Sequence, residues 1–437
     1  MATARATARA SEGDGGVIAV VRVHARVRRE GAMEGVVAAV KARASASASM
    51  DARAGGELTS DAGRPSMADA LLRRECDRVY VADVEWRPGA VRSRRLLPWQ
   101  FEVEARAYRV SETREEMTTT TIASNNEEQT TVACEKWVLP SRDFEGAWES
   151  LEFDDDGVKS RLLAYASTAL IFSKSGVRQS VVAWNRVVLL HGPPGTGKTT
   201  LCKALAQMLS IKFSDVFDES FLIEVNAHSL FASVYSESPK QVHRVFKQIR
   251  ELAENGNALV FVLIDEVESV AAARTSAMSA NEPSDTIRVV NALLTQIDAL
   301  KSKPNVIVLT TSNLTQAIDL AFVDRADIKC FIGPPGFNAR YNILRSCVEE
   351  LIDRRLLHGA APVDLDDCTA SNCPTSLALR TAVQATDGFS GRTLRKLPFL
   401  TYSSVGSGAQ CSVQTFLRAL TVQAKSELND RLQLKRT

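Results

Sequence analysis

The stretch from Val187 to Leu209, VVLLHGPPGTGKTTLCKALAQML, constrains this chain more than any other. Four apolar residues run into a glycine-rich turn, and the turn opens a segment whose apolar positions recur at helical spacing. Gly192, Pro193, Pro194, Gly195, Thr196, Gly197, Lys198 and Thr199 fit the pattern G-x-x-x-x-G-K-[ST], with Thr200 directly after. Glycines at these positions let backbone N–H groups approach phosphate oxygens without a Cβ in the way. The helix that follows directs its positive end at the same anion. In this pattern Lys198 neutralises the β- and γ-phosphates of a nucleotide, and the Thr199 hydroxyl ligates Mg²⁺. An incidental glycine turn has no reason to stand between a strand and a helix; a nucleotide site does.

Phe261 to Glu266, FVLIDE, is an apolar strand ending in two acids. In open α/β sheets, ligands bind at the carboxyl edge of the strands. Asp265 is the expected Mg²⁺ holder, directly or through water, and Glu266 the residue that polarises the attacking water. Alone, two acids at a strand end are an ordinary solvated turn; about seventy residues after a phosphate loop they point to nucleotide chemistry. Asn305 to Asn313, NVIVLTTSN, is a second buried strand with a polar end. Asn313 there is either a turn former or a group that orients the same water or reads the γ-phosphate. Arg325 lies between Asp324 and Asp327. It is either a local surface ion-pair partner or an arginine finger that stabilises transition-state charge at a neighbour's nucleotide. Gly388 to Pro398, GFSGRTLRKLP, reads as a helix start capped by Ser390, with Arg392 in the first turn either on the surface or reaching the phosphates.

A length of 437 residues exceeds one ordinary core and predicts two or three domains. The formal net charge of +1 gives no global field toward nucleic acid or an anionic membrane. Apolar runs such as Ala258 to Ile264 are far shorter than the ~20 residues that span a bilayer, so no membrane association is expected. The eight cysteines show no C-x-x-C pair and read as reduced thiols of an intracellular protein.

Residues 1–66 are rich in Ala, Arg, Gly and Ser and lack aromatic residues, which predicts a disordered segment. The basic, hydroxylated start also suits a transit peptide, Met67 also suits a translation start, and Arg22, Arg26, Arg28 and Arg29 also suit nucleic-acid contact. Residues 67–133 read as a small N-terminal substrate-recognition domain, with an acidic, Thr-rich linker over 111–131 that lacks periodicity. Residues 134–337 alternate strands and helices, which implies a mainly parallel sheet between helical layers. Residues 338–437 read as a separate helical domain.

These elements, in this order, resemble an AAA+ ATPase. The strings KWVLPSRDFEGAWESL, WNRVVLLHGPPGTGKTTLCKALAQ, LIEVNAHSLF, LVFVLIDEVESVAAAR, EPSDTIRVVNALLTQID, LTTSNLTQAIDLAFVDRADIK and GFSGRTLRKLPFL are similar to the pachytene checkpoint protein 2 family, from about Lys136 to Leu400. The resemblance implies an α/β fold: an AAA+ P-loop core, a helical C-terminal lid and a small α+β N-terminal domain. It implies a homohexamer, in the nucleus on meiotic chromosomes and in the cytoplasm, that uses ATP and Mg²⁺ to open closed HORMA-domain proteins, with or without a HORMA-like adaptor. It assigns Lys198 and Thr199 to Walker A, Asp265 and Glu266 to Walker B, Asn313 to sensor 1, Arg325 to the arginine finger and Arg392 to sensor 2. The pore-facing loop departs from the family: Ala232 to Lys240 reads ASVYSESPK, with Val234 and Tyr235 where a Trp-Phe pair is usual. Tyr235 is therefore the expected gripping residue. The alternative, an AAA+ motor on nucleic acid, calls for a DNA-binding module or a basic stripe outside the core, and no direct nucleic-acid contact is expected. A non-catalytic scaffold would lack Lys198, Glu266 or Arg325, and all three are present.

Overall fold

The computed structural model describes residues 17, 19–47, 50–51, 67–87, 90, 95–122, 128–154, 157–179, 181–226, 238–268, 284–313, 320–365, 373–405 and 411–434. Strand β1 (Ala19–Val27), helices α1 (Met33–Ala46) and α2 (Met67–Glu75), and strands β2 (Cys76–Trp86) and β3 (Phe101–Tyr108) make an α+β N-terminal domain. β1 is its middle strand, antiparallel to β2 and parallel to β3. The cause is a period-two pattern: Ala19, Val21, Val23, Ala25 and Val27 are buried against Val36 and Val40 of α1 and Leu72 of α2. Arg22, His24 and Arg26 alternate with Val21, Val23, Ala25 and Val27 and meet partners. Arg22 donates to Asp83 at 2.9 Å and also bonds Glu85 and Glu104. Arg26 donates to Glu145 at 2.7 Å, and Arg28 to Asp77 at 2.7 Å. His24 is enclosed by the rings of Tyr80 and Tyr108. Burial, then the charges of Arg22 and Arg106, hold its pKa down at about 3, so it is neutral at physiological pH.

Residues 19–47 and 50–51 therefore correct the expectation of disorder over 1–66. Average composition hid a nine-residue alternation, and the strand needs no core of its own because β2 and β3 flank it on both sides. The same ion pairs engage Arg22, Arg26 and Arg28, which does not favour reading them as a nucleic-acid arm. Residues 1–16 and 52–66 lie outside the described residues. A chain begun at Met67 would lack the middle strand. Val21, Val23 and Val27 each contribute about 1.5 kcal/mol or more by burial, against a total domain stability of about 5–15 kcal/mol. Such a truncation is expected to lose amide-exchange protection across β2 and β3; full retention of that protection would show that β1 is dispensable.

The expected linker over 111–131 is also corrected. β4 (Arg114–Ile122) and β5 (Glu128–Leu139) form an antiparallel pair, with Arg114 opposite Trp137 and Ile122 opposite Glu128. Their Thr-rich sequence suits a strand, but the nearly unbroken polar run over 111–131 leaves no apolar alternation to reveal the period. The pair belongs to the large sheet, so the small domain occupies residues before about 110 and the central domain begins earlier than 134.

Helix α3 (Gly157–Lys174) leads to β6 (Val187–His191), and α4 (Lys198–Lys212) follows. Then come β7 (Glu219–Asn226), α5 (Ser238–Glu254), β8 (Ala258–Asp265), α6 (Ser284–Leu300), β9 (Val306–Ser312), α7 (Leu320–Arg325) and β10 (Ile328–Phe331). The strands lie in the order β10-β6-β9-β8-β7-β5-β4; the first five are parallel, and β5 returns antiparallel on β7. Both sheet faces are covered, as a parallel sheet requires. Phe246, Ile249, Leu293 and Ile297 of α5 and α6 pack on Val260 and Val262. Leu162, Leu170, Leu201 and Leu205 of α3 and α4 pack on Leu259 and Phe261 from the other side. Tyr80, Ala82 and Tyr108 of the N-terminal domain join that second core. Helices α8 (Phe337–Asp353), α9 (Pro374–Gln384), α10 (Gly391–Val405) and α11 (Val413–Leu434) close a lid around Tyr341, Leu344, Phe389, Leu394 and Phe416. This is the expected AAA+ arrangement.

Candidate active site

Four buried residues of β6 deliver the chain to Gly192 at the carboxyl edge of the sheet. Gly197 ends the loop with φ 95°, a left-handed conformation that glycine adopts without a Cβ penalty, and it is the N-cap of α4. Lys198 is buried, and its Nζ donates to the carbonyls of Gly192 at 2.9 Å and Pro193 at 2.8 Å, which sets the ammonium inside the loop. Burial lowers its pKa from the usual lysine value, while Glu268, Asp265 and Glu266 oppose the shift. Thr196 Oγ1 donates to Pro193 O at 3.0 Å and fixes the turn from within.

The acids at the end of β8 arrive beside this loop. Thr199 Oγ1 donates to Asp265 Oδ1 at 2.9 Å, and Thr311 Oγ1 bonds the same oxygen. Glu266 has φ 56°, uncommon for a residue with a side chain, and its N–H donates to Thr311 Oγ1 at 3.2 Å. Local backbone strain of this kind collects at functional positions. Asn313 Nδ2 donates to Glu266 Oε1 at 3.2 Å, so the end of β9 orients the carboxylate that ends β8. A cavity of ≈ 590 Å³ opens over these groups. Pro194, Gly195, Thr196, Gly197, Lys198, Thr199, Thr200, Asp265, Glu266, Asn313 and Arg392 line it; Gly192 and Pro193 are not among the lining residues. Leu151, Phe153, Val158, Ile332 and Ile343 add apolar surface to the same lining. The volume falls in the range of about 300–1,000 Å³ typical of ligand sites, which combine apolar surface with a few placed polar groups.

From the lid, Ser390 Oγ accepts from Thr393 N–H at 3.3 Å, the cap expected from the sequence, and the Arg392 N–H donates to Gly195 O at 3.1 Å. Arg325 is elsewhere. Its Nε and Nη2 donate to Asp298 at 2.7–3.1 Å, and it is not among the cavity-lining residues of its own chain. Burial pushes the Asp298 carboxyl up, but hydrogen bonds from Arg325 and Lys301 outweigh it and leave the pKa below the usual carboxylate value. Asp327 instead accepts from Asn185 N–H at 2.6 Å and Arg186 N–H at 3.0 Å, which ties the segment after Arg325 to the start of β6. Val234 and Tyr235 lie outside the described residues. Sequence reasoning missed Thr311, Arg395 and Asp154. The Arg392/Arg395 spacing of three on one helix was a usable signal for Arg395; Thr311 and Asp154 carried none.

Residues 188–334 match the model of the ATPase family associated with various cellular activities (AAA), and residues 336–428 match the TRIP13-like, AAA+ ATPase lid C-terminal domain. The chain is 48% identical over 382 residues to the pachytene checkpoint protein 2 homolog of Oryza sativa subsp. indica, covering 83% of this chain and 79% of that protein. It is 48% identical over 310 residues to the Homo sapiens homolog, covering 69% and 72%. The structure of C. elegans PCH-2 superposes with a TM-score of 0.72 at 30% identity, covering 94% of this chain and 99% of that one. A chain in the E. coli HORMA:CdnC:Trip13 complex shares the fold, with a TM-score of 0.52 at 20% identity over 65% of this chain and 93% of its own length. With its phosphate loop, paired acids and lid, this chain is an ATPase of the pachytene checkpoint protein 2 family.

Proposed function

We propose that the chain assembles as a homohexameric ring that hydrolyses ATP to convert closed HORMA-domain proteins to their open form, bound directly or through a HORMA-like adaptor. The observation that carries this reading is the division of the site. Lys198, Thr199, Glu266, Asn313 and Arg392 meet around one cavity, while Arg325 is held by Asp298 outside it. Hydrolysis at that cavity then draws its transition-state cation from a neighbouring copy. Glu266 takes the role of base on the attacking water, Asn313 holds it, and Arg392 reaches the phosphates from the lid. Mg²⁺ fits at Thr199 and Asp265, whose side-chain oxygens stand 2.9 Å apart in the cavity lining. When bound, the ion draws charge from the transferring phosphoryl group. The apolar residues of the cavity lining suit a nucleobase. Support for the substrate comes from the family, and from the HORMA protein named in the complex that holds the E. coli Trip13 chain. In this reading Tyr235, with Val234 beside it, grips the substrate in the pore, and the protein works in spindle-checkpoint and meiotic-axis control, on meiotic chromosomes in the nucleus and in the cytoplasm.

Substrate trapping tests the proposal. The Glu266→Gln protein, loaded with ATP in extracts of dividing or meiotic cells, is expected to retain HORMA-domain proteins that Lys198→Ala does not. Recovery of nuclease-sensitive nucleic acid with no HORMA-domain protein would favour the alternative motor.

A further inference from the structure

The segment Ser150 to Asp154, just ahead of α3, touches both halves of the nucleotide site. On one side it walls the cavity, and Leu151 closes on the phosphate loop: a Cβ added at Gly197 would come within 2.9 Å of Leu151 Cδ2. On the other side three of its residues are bonded to the lid. The Arg395 guanidinium donates to Ser150 O, Asn342 Nδ2 donates to Glu152 Oε2 at 3.4 Å, and the Asp154 carboxylate accepts from Gly336 N–H and, at 3.5 Å, from Ala339 N–H.

The last of these contacts solves a problem for the lid. The first N–H groups of a helix have no partner within it, and a side chain at the N-cap normally accepts from one of them at N2 or N3. The N-cap of α8 is Gly336, which has no side chain to offer. Asp154, 182 positions earlier, accepts from Ala339 N–H, the N3 amide, and brings negative charge to the positive end of the helix. A Cβ at Gly336 would stand 2.7 Å from Asp154 Cγ, so a side chain there would have to displace the carboxylate.

We propose that Asp154 is a positioning residue for nucleotide binding, which acts through α8 by capping the first lid helix from the segment that walls the cavity. The nucleotide is then held between two parts that Asp154 joins: the phosphate loop and Ser150–Asp154 on one side, and Ile343, Gly391 and Arg392 of the lid on the other. Seating the lid and binding the nucleotide become one equilibrium, and loss of the cap is felt as loss of affinity.

The test uses the full chain and three measurements: the Kd of a fluorescent ADP analogue, steady-state KM and kcat for ATP, and hydrogen exchange at the Gly336 and Ala339 amides. Asp154→Ala is expected to raise Kd and KM about tenfold, at the upper part of the range for a lost N-cap. It is expected to leave kcat within about twofold, since the catalytic groups are untouched. Both amides should lose protection, with and without ADP. Asp154→Asn keeps an acceptor oxygen and is expected to stay within about threefold of the original Kd, so it keeps the test open if the alanine variant does not fold. A fall in kcat with unchanged KM would mark Asp154 as merely structural and overturn the proposal. So would unchanged exchange at both amides.

Discussion

Replacement of Glu266 by glutamine is expected to leave ATP bound and to slow its hydrolysis by at least about 100-fold, the factor that a positioned general base supplies. The geometry localises the loss. Glu266 directly follows β8, with its backbone held by Thr311 and one carboxylate oxygen held by Asn313, so an amide of the same shape keeps the fold of the loop and forfeits only the proton acceptor. Lys198→Ala should fail one step earlier. Its ammonium is seated on the Gly192 and Pro193 carbonyls inside the loop, and without it the β- and γ-phosphates lose their counter-charge. Nucleotide binding and phosphate release, measured on both variants, separate the two effects. Near-normal turnover by Glu266→Gln would remove Glu266 from its assigned role.

The second large effect is expected at Arg325. In a uniform ring, Arg325→Ala should lose about 10³ or more in rate, the contribution of an arginine finger. In its own chain Arg325 is paired with Asp298 and stands apart from the cavity lining, so the loss should fall on the neighbour's site. Mixing distinguishes a finger from a structural ion pair. When Arg325→Ala and Glu266→Gln subunits co-assemble, some interfaces join an intact finger to an intact base, and partial activity should return. Mixed rings without restored activity would mean that the Arg325–Asp298 pair serves only the fold of its own subunit.

The nucleotide residues were legible in the sequence because each sits at the end of a strong apolar run. FVLIDE and NVIVLTTSN announce buried strands, and topology carries their polar ends to one sheet edge. The elements that sequence reasoning missed lack that contrast. β1 alternates Ala and Val with Arg and His inside an otherwise low-complexity stretch, and Arg22 is buried where Asp83 and Glu85 of β2 and Glu104 of β3 meet it. β4 and the first residues of β5 are a nearly continuous polar run in the sequence, unlike Cys134, Trp137 and Leu139 later in β5, which are buried. Asp154 and Arg395 act through contacts that close over 182 and 245 positions of chain, which no local pattern encodes. Arg325 shows the converse limit. Its neighbours Asp324 and Asp327 looked like its partners, yet the fold brings Asp298 to it and gives Asp327 to the start of β6.

The most direct measurement follows a purified closed HORMA-domain protein as it converts to the open form, alongside phosphate release, with the unmutated chain, Glu266→Gln and Tyr235→Ala. The account predicts conversion only with the unmutated chain and ATP. Glu266→Gln should bind substrate without converting it. Tyr235→Ala should release phosphate near the unmutated rate while conversion stops, because an aromatic ring that buries about 150–250 Å² has been removed from the grip and the nucleotide residues are unchanged. Conversion at the full rate by Glu266→Gln, or phosphate release by the unmutated chain with no conversion of any closed HORMA-domain protein, would contradict it.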